Sequence, residues 1–281
     1  MGFEPTTFGT TIRHSNRLSY IHHFDSISES GDKGNILFRF VQIFRLFFYL
    51  MFFSYLCNRL VNRTMKTIKI PFVEGLETMT FEELTQTLEL HGIRQSVDSV
   101  AWEEFPYRPI VAFDAAAGRT HLFVRFFVRG LGLKALYAND NEPVWQDSCV
   151  EVFIGDADGG GYRNFEMNCI GTLLSAHQKA RGVDVVRISA EDAARVIRHT
   201  SLGRETFAEK EGIHEWSAAI GIPFALLGFE GRPEMLRANF YKCADGSAWP
   251  HYVSWAPIST PKPDFHRPEF FGTLLFEQPN N

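Results

Sequence analysis

In one short run after another, the apolar residues of this chain fall on alternate positions. Within 121–129, Leu122, Val124, Phe126 and Val128 share one parity, while Arg125 and Arg129 take the other. Within 148–154, Val150, Val152 and Ile154 stand opposite Cys149, Glu151 and Phe153. Within 164–174, Phe165, Met167 and Cys169 face one way, Glu166 and Asn168 the other. Side chains of a strand alternate between its faces, so this period predicts strands with one face in a core and one polar face. Further strands are predicted over 183–189, 204–207, 214–222, 236–242, 251–256 and 271–276, with a Gly-rich turn, GDADGGG, at 155–161. One helix is signalled by the capping pair Thr80 and Glu83, followed by Phe81, Leu84 and Leu88 and stopped at Gly92. A second short helix is expected at 191–199, and a turn or helical piece at 223–227. The expected fold is therefore all-β in the main: an antiparallel β-sandwich or jelly roll with one or two short helices. The regular strand–helix alternation of a parallel nucleotide-binding fold is missing.

Composition narrows the function classes. A net charge of −5, from 28 Lys+Arg against 33 Asp+Glu, argues against a nucleic-acid partner, which needs a basic surface. No Gly-x-Gly-x-x-Gly follows a strand, and there is neither a phosphate loop nor a Gly-x-Ser-x-Gly elbow. The histidines lack metal-ligand spacing, so no cofactor is expected. Cys57, Cys149, Cys169 and Cys243 form no Cys-x-x-Cys pair and read as buried free thiols.

Residues 1–64 differ from the rest. The stretch ILFRFVQIFRLFFYLMFFSYL at 36–56 has about the ~20 residues of a membrane span, but Arg39, Gln42 and Arg45 interrupt it. Three readings stand: a mis-assigned start with translation from Met65, a membrane anchor, or a signal sequence. A membrane partner is expected only if residues 36–57 are genuinely expressed. Localisation depends on the same choice: cytoplasmic from Met65, otherwise membrane-anchored or exported. Residues 65–281 are expected to be one β-sandwich domain.

The sharpest polar pattern is Trp145-Gln146-Asp147-Ser148-Cys149-Val150-Glu151, with Glu166 and Asn168 after it. Sugars present apolar C–H faces and a rim of hydroxyls; an aromatic ring suits the first, carboxylates and amides the second. If the two runs pair as a hairpin, Glu151, Glu166 and Asn168 share one face. The same pattern also fits a packed tryptophan beside water-facing polar groups. A second aromatic cluster, Trp249-Pro250-His251-Tyr252-Val253-Ser254-Trp255, offers Trp255 at a strand end as the other half of a two-tryptophan clamp. Trp102 and Trp216 read as core.

The phrases PVWQDSCVEVFI, YRNFEMNCIGTLL, WSAAIGIPFALLG and SWAPISTPKPDFHRPEFFGTLLF resemble the carbohydrate-binding family-nine-like proteins of gut and related bacteria, over essentially 65–281. The resemblance implies a β-sandwich that clamps the end of a glycan between two tryptophans, here Trp145 and Trp255. It implies hydroxyl contacts from Glu151, six residues after Trp145, and from Glu166 and Asn168. Glu166 departs from the basic residue of the characterised modules. Structural calcium, known in those modules, has no clear motif here. A mono- or oligosaccharide is the expected partner. Two alternatives remain: a glycoside hydrolase using paired carboxylates such as Glu151 and Glu166, and a protein-interaction β-sandwich.

Overall fold

The computed structural model describes residues 65–156 and 158–278; the apolar stretch at 36–57, like all of 1–64, lies outside them. The chain divides into two units, and the strands and helices of the described residues belong to the second, Leu60–Asn281. Among the described residues no helix is long and apolar enough to cross a membrane.

In chain order the elements are β1 (Thr67–Ile70), α1 (Phe81–His91), β2 (Ile93–Ser96), β3 (Ile110–Ala117), β4 (His121–Ala135), β5 (Cys149–Gly155), β6 (Tyr162–Asn168) and β7 (Leu173–Gln178). There follow β8 (Val186–Arg187), α2 (Ala190–Arg195), β9 (Ile197–Thr200), β10 (Phe207–Pro223), β11 (Met235–Cys243), β12 (Tyr252–Ser254) and β13 (Gly272–Phe276). One sheet runs β1-β13-β11-β5-β6-β7-β8, with β12 also paired to β11; the other runs β2-β3-β4-β10-β9. Pairing is antiparallel except between β1 and β13. The two sheets close on one core that includes Val150, Val152, Phe165 and Phe240 from the first and Phe113, Val124, Phe126 and Ile220 from the second. The expected sandwich is present.

The alternation is correct in phase but misleading about exposure. Val150, Val152 and Ile154 do point between the sheets. The opposite face of β5 is not solvated, however, because Phe153, Cys149 and their neighbours form a second apolar cluster under loops bearing Trp102, Val144, Ile258 and Phe265. The predicted strand over 164–174 is two strands. At Gly171, with φ of +85°, the chain enters the left-handed region that glycine tolerates. There the Gly171 N–H donates to the Asn168 carbonyl and closes the turn. The predicted strand at 183–189 shortens to β8, and 204–206 is irregular. β3 gave no periodic signal because both of its faces are covered. Phe113 and Ala115 lie in the core, while Ala116 packs with Phe123 and Ala219 against Leu84 and Leu88 of α1.

The α1 cap forms as its spacing predicts. The Glu83 N–H donates to Thr80 Oγ1 at 3.3 Å, and the Thr80 N–H donates to Glu83 Oε2 at 2.8 Å. Thr80→Ala is expected to destabilise the domain by about 1 kcal/mol in chemical denaturation, the usual effect of losing an N-cap oxygen.

Candidate functional site

The outer face of the larger sheet carries the chemistry. β5 and β6 pair so that Glu151 lies directly opposite Glu166, Phe153 opposite Asn164 and Cys149 opposite Asn168. β11 flanks the other side, with Tyr241 opposite Glu151 and Cys243 opposite Cys149. Loops wall in the middle of this face and leave a cavity of about 330 Å³. That volume falls in the range, roughly 300–1,000 Å³, that encloses small organic ligands. Glu151, Glu166, Asn164, Gln178 and Tyr252 line it from the strands, and Trp145 lines it from outside them.

Each wall residue is held by a local device. Trp145 lies in a 3-10 turn, Val144–Gln146, where its carbonyl accepts from the Asp245 N–H at 3.0 Å, tying the turn to the end of β11. Asp147 fixes the same turn from behind by accepting from the Leu136 and Tyr137 N–H groups. Gln178 Nε2 donates to Asn164 Oδ1 at 2.9 Å, and Asn164 Nδ2 donates to Glu166 Oε1 at 2.9 Å. Glu151 Oε1 accepts from the Cys243 thiol at 3.0 Å.

Burial dominates the electrostatics. It pushes the Glu166 carboxyl up to about 7, with the Arg187 charge partly offsetting it. Burial, then the neighbouring Glu166 charge, lifts Glu151 well above the carboxylate range. Burial also raises Asp245, against the Tyr252 hydroxyl, and pushes His266 down to about 4. Two adjacent carboxyls in a poorly solvated site do not both ionise readily at neutral pH. The pair therefore offers both a carboxyl donor and carboxylate acceptors, which suits a ligand whose hydroxyls do both. Arg181 and Arg187 supply positive charge at the margin of the cavity, and Phe265 adds an apolar wall.

Of the residues singled out in the sequence, Trp145, Glu151 and Glu166 come together here. Two do not, and both expectations are corrected. Trp255 is fully buried between the sheets, 5.4 Å from Phe240 in an edge-on pair, because it shares the parity of Val253, which faces the core. Asn168 is fully buried, and its amide is already used. Its Nδ2 donates to the Tyr137 carbonyl and Asp147 Oδ2, and its Oδ1 accepts from the Thr172 N–H. It therefore positions the Trp145 turn without lining the cavity. Trp102 and Trp216 are buried as expected, and Trp249 is 46% exposed. Cys149, Cys169 and Cys243 are buried free thiols, while Cys57 lies outside the described residues.

Sequence reasoning passed over Asn164, Gln178, Tyr252, Asp245 and the two arginines. Asn164 shares the parity of Glu166 and Tyr252 opposes that of Trp255, so both were within reach of a parity argument. Among the described residues one grouping has metal-ligand spacing: Cys149, Glu151 and Cys243, with donor atoms all within 4.8 Å of one another. Two thiols do not suit calcium, which takes several oxygen ligands.

A β-sandwich with a carboxyl-floored, aromatic-walled cavity on the outside of one sheet has the architecture of a small-ligand binding module. Residues 83–276 match carbohydrate-binding family 9, and the chain belongs to that family. A Bacteroides uniformis protein provisionally described as carbohydrate-binding is 32% identical, with a TM-score of 0.72 over 76% of this chain and 100% of that one. A family 9 carbohydrate-binding module from Caldicellulosiruptor kristjanssonii, solved with glucose, is 10% identical, with a TM-score of 0.49 over 77% of this chain and 98% of that one. No curated protein matches the chain.

Proposed function

We propose that this cavity holds one sugar ring, stacked on Trp145 and hydrogen-bonded through its hydroxyls to Glu151, Glu166 and Asn164. The observation that carries the reading is the meeting of Trp145 with the directly opposed Glu151 and Glu166 in one ligand-sized space. Family membership supports a carbohydrate as the ligand class. Tyr252, across the sheet from Cys243, takes the second aromatic position that Trp255 does not occupy. Its half-buried ring is joined there by Phe265, 6.0 Å away.

Titration of the full chain with a panel of mono- and disaccharides, monitored by Trp fluorescence and calorimetry, tests this. At least one sugar is expected to bind in the millimolar range or tighter. Trp145→Ala should weaken it at least tenfold, a loss of about 1.4 kcal/mol. Silence toward every sugar at millimolar concentration overturns the reading. The raised Glu166 beside Glu151 also favours a second chemistry, acid-assisted glycoside hydrolysis. Release of reducing sugar by the wild type, lost in Glu151→Gln, would replace holding with cleavage.

A further inference from the structure

The floor of the cavity holds two thiols, beside Glu151, that sugar recognition does not need. Cys149 and Cys243 are Cα partners across β5 and β11. Glu151, two residues after Cys149, points from the same face, with its Oε1 3.0 Å from Cys243 Sγ. All three are buried, yet Glu151 and Cys243 also line the cavity, so the cluster has an entrance.

Three features fit a soft divalent ion. First, thiolates with one carboxylate are a zinc donor set, whereas oxygen-seeking ions avoid sulfur. Second, the spacing is right. Zinc–sulfur bonds of ~2.3 Å and zinc–oxygen bonds of ~2.0–2.2 Å place tetrahedral donors roughly 3.5–3.8 Å apart. The three donor atoms here lie within 4.8 Å of one another, about one ångström beyond that spacing at most. Third, the net charge is small. Two thiolates, a carboxylate and Zn²⁺ sum to only −1, and the buried Lys242, adjacent to Cys243 in sequence, stands on the opposite face of β11, where it pairs in register with Val150. Its Nζ donates to the Cys243 carbonyl and lies 2.8 Å from His251 Nε2, and among the described residues it forms no ion pair with a carboxylate.

We propose that Cys149, Cys243 and Glu151 form a zinc site at the floor of the cavity, with its fourth coordination position open toward the cavity. On binding, each ligating thiol gives up its proton to solvent. An open position is the arrangement of zinc sites that take a water or a ligand oxygen, as opposed to closed structural ones. The proposal shares Glu151 with the sugar reading but needs neither Trp145 nor Glu166, and the thiolate signature in the test below is read without any sugar.

The test uses the full chain, reduced and stripped of metal. Zn²⁺ titrated in competition with a chromophoric chelator is expected to bind one per chain. Co²⁺ in its place should give a thiolate-to-cobalt charge-transfer band and intense tetrahedral d–d absorption. Cys149→Ser with Cys243→Ser should abolish the band and weaken Zn²⁺ by more than about 100-fold, beyond what losing supporting contacts alone does. Glu151→Gln should weaken Zn²⁺ and keep the band. The chain has four cysteines, so Cys57→Ser with Cys169→Ser leaves only the proposed pair. The thiolate band must survive in that variant, which decides the matter even if the first double variant fails to fold. Absence of one-to-one Zn²⁺ binding, a Co²⁺ spectrum without a thiolate band, or undiminished binding without Cys149 and Cys243 overturns the proposal.

Discussion

Trp255→Ala is expected to remove about 3–5 kcal/mol of stability while leaving the sugar affinity of the folded molecules within a few-fold of the wild type. The indole is wholly enclosed, with Phe240 at 5.4 Å and Phe113 at 6.3 Å between centroids, and its Nε1 donates to Gln95 Oε1 at 3.3 Å. It lies so closely over Gly272 that a β-carbon there would come within 2.3 Å of the ring. The flanking backbone has no side chain with which to refill the hole, which places the substitution among the costlier cavities. Domains of this kind hold only about 5–15 kcal/mol in all. Urea unfolding, run beside Trp145→Ala, separates the two tryptophans: one variant loses its fold margin, the other its ligand. A Trp255→Ala protein that melts like the wild type yet no longer binds sugar would contradict the placement of this ring in the core.

Glu166→Gln is expected to stabilise the protein at neutral pH, and the direction of the carboxyl's shift sets the sign. Burial raises the native carboxyl from the ordinary 4.5 to about 7. Below 4.5 the group is protonated whether the chain is folded or not, and its contribution to stability is fully present. Between those values the unfolded chain ionises while the native one holds its proton, so stability falls as pH rises. Above about 7 both forms are ionised and the loss is constant, at roughly 3 kcal/mol for a shift of this size. Glutamine keeps an oxygen to accept from Asn164 Nδ2 and has nothing to ionise. The variant should therefore exceed the wild type by up to about 3 kcal/mol at pH 7–8 and converge with it below 4.5. Burial pushes His251 down to about 3 and His266 down to about 4, and both act in the opposite sense. For that reason the difference between variant and wild type across a pH series of melts, not either curve alone, removes the histidine contributions; it reports Glu166 together with the relief of Glu151, which no longer faces the Glu166 charge, and both favour the variant at neutral pH. A variant less stable than the wild type at pH 8 would mean that the Glu166 carboxylate is stabilised, not strained, where it sits.

What was legible in the sequence was whatever a single strand's parity or a single turn's spacing encodes. Glu151 and Glu166 face each other because two alternating runs are joined by a short Gly-rich turn, and Trp145 sits where the first run begins. The error at Trp255 came from reading aromatic richness without carrying the parity of Val253 two residues further on. Asn168 misled differently: its parity was right, but its amide is committed to Thr172 within the turn and to Tyr137 and Asp147, which only folding brings to it. Arg181, Arg187, Phe265 and His266 reach the cavity from segments remote in the chain, and nothing local marks them. β3 was invisible for a packing reason, since a strand sandwiched between a core and a helix need not alternate.

The proposed recognition face and the folding core lie on opposite sides of one sheet. Strands β5 and β6 present their odd and even positions to two different audiences: inward to the partner sheet, outward to the loop-walled cavity. The outward walls come largely from loops, among them the stretches holding Arg181, Asp245 and His266. Chains built on this plan can exchange those loops, and with them the ring they prefer, without renegotiating the interior that keeps them folded.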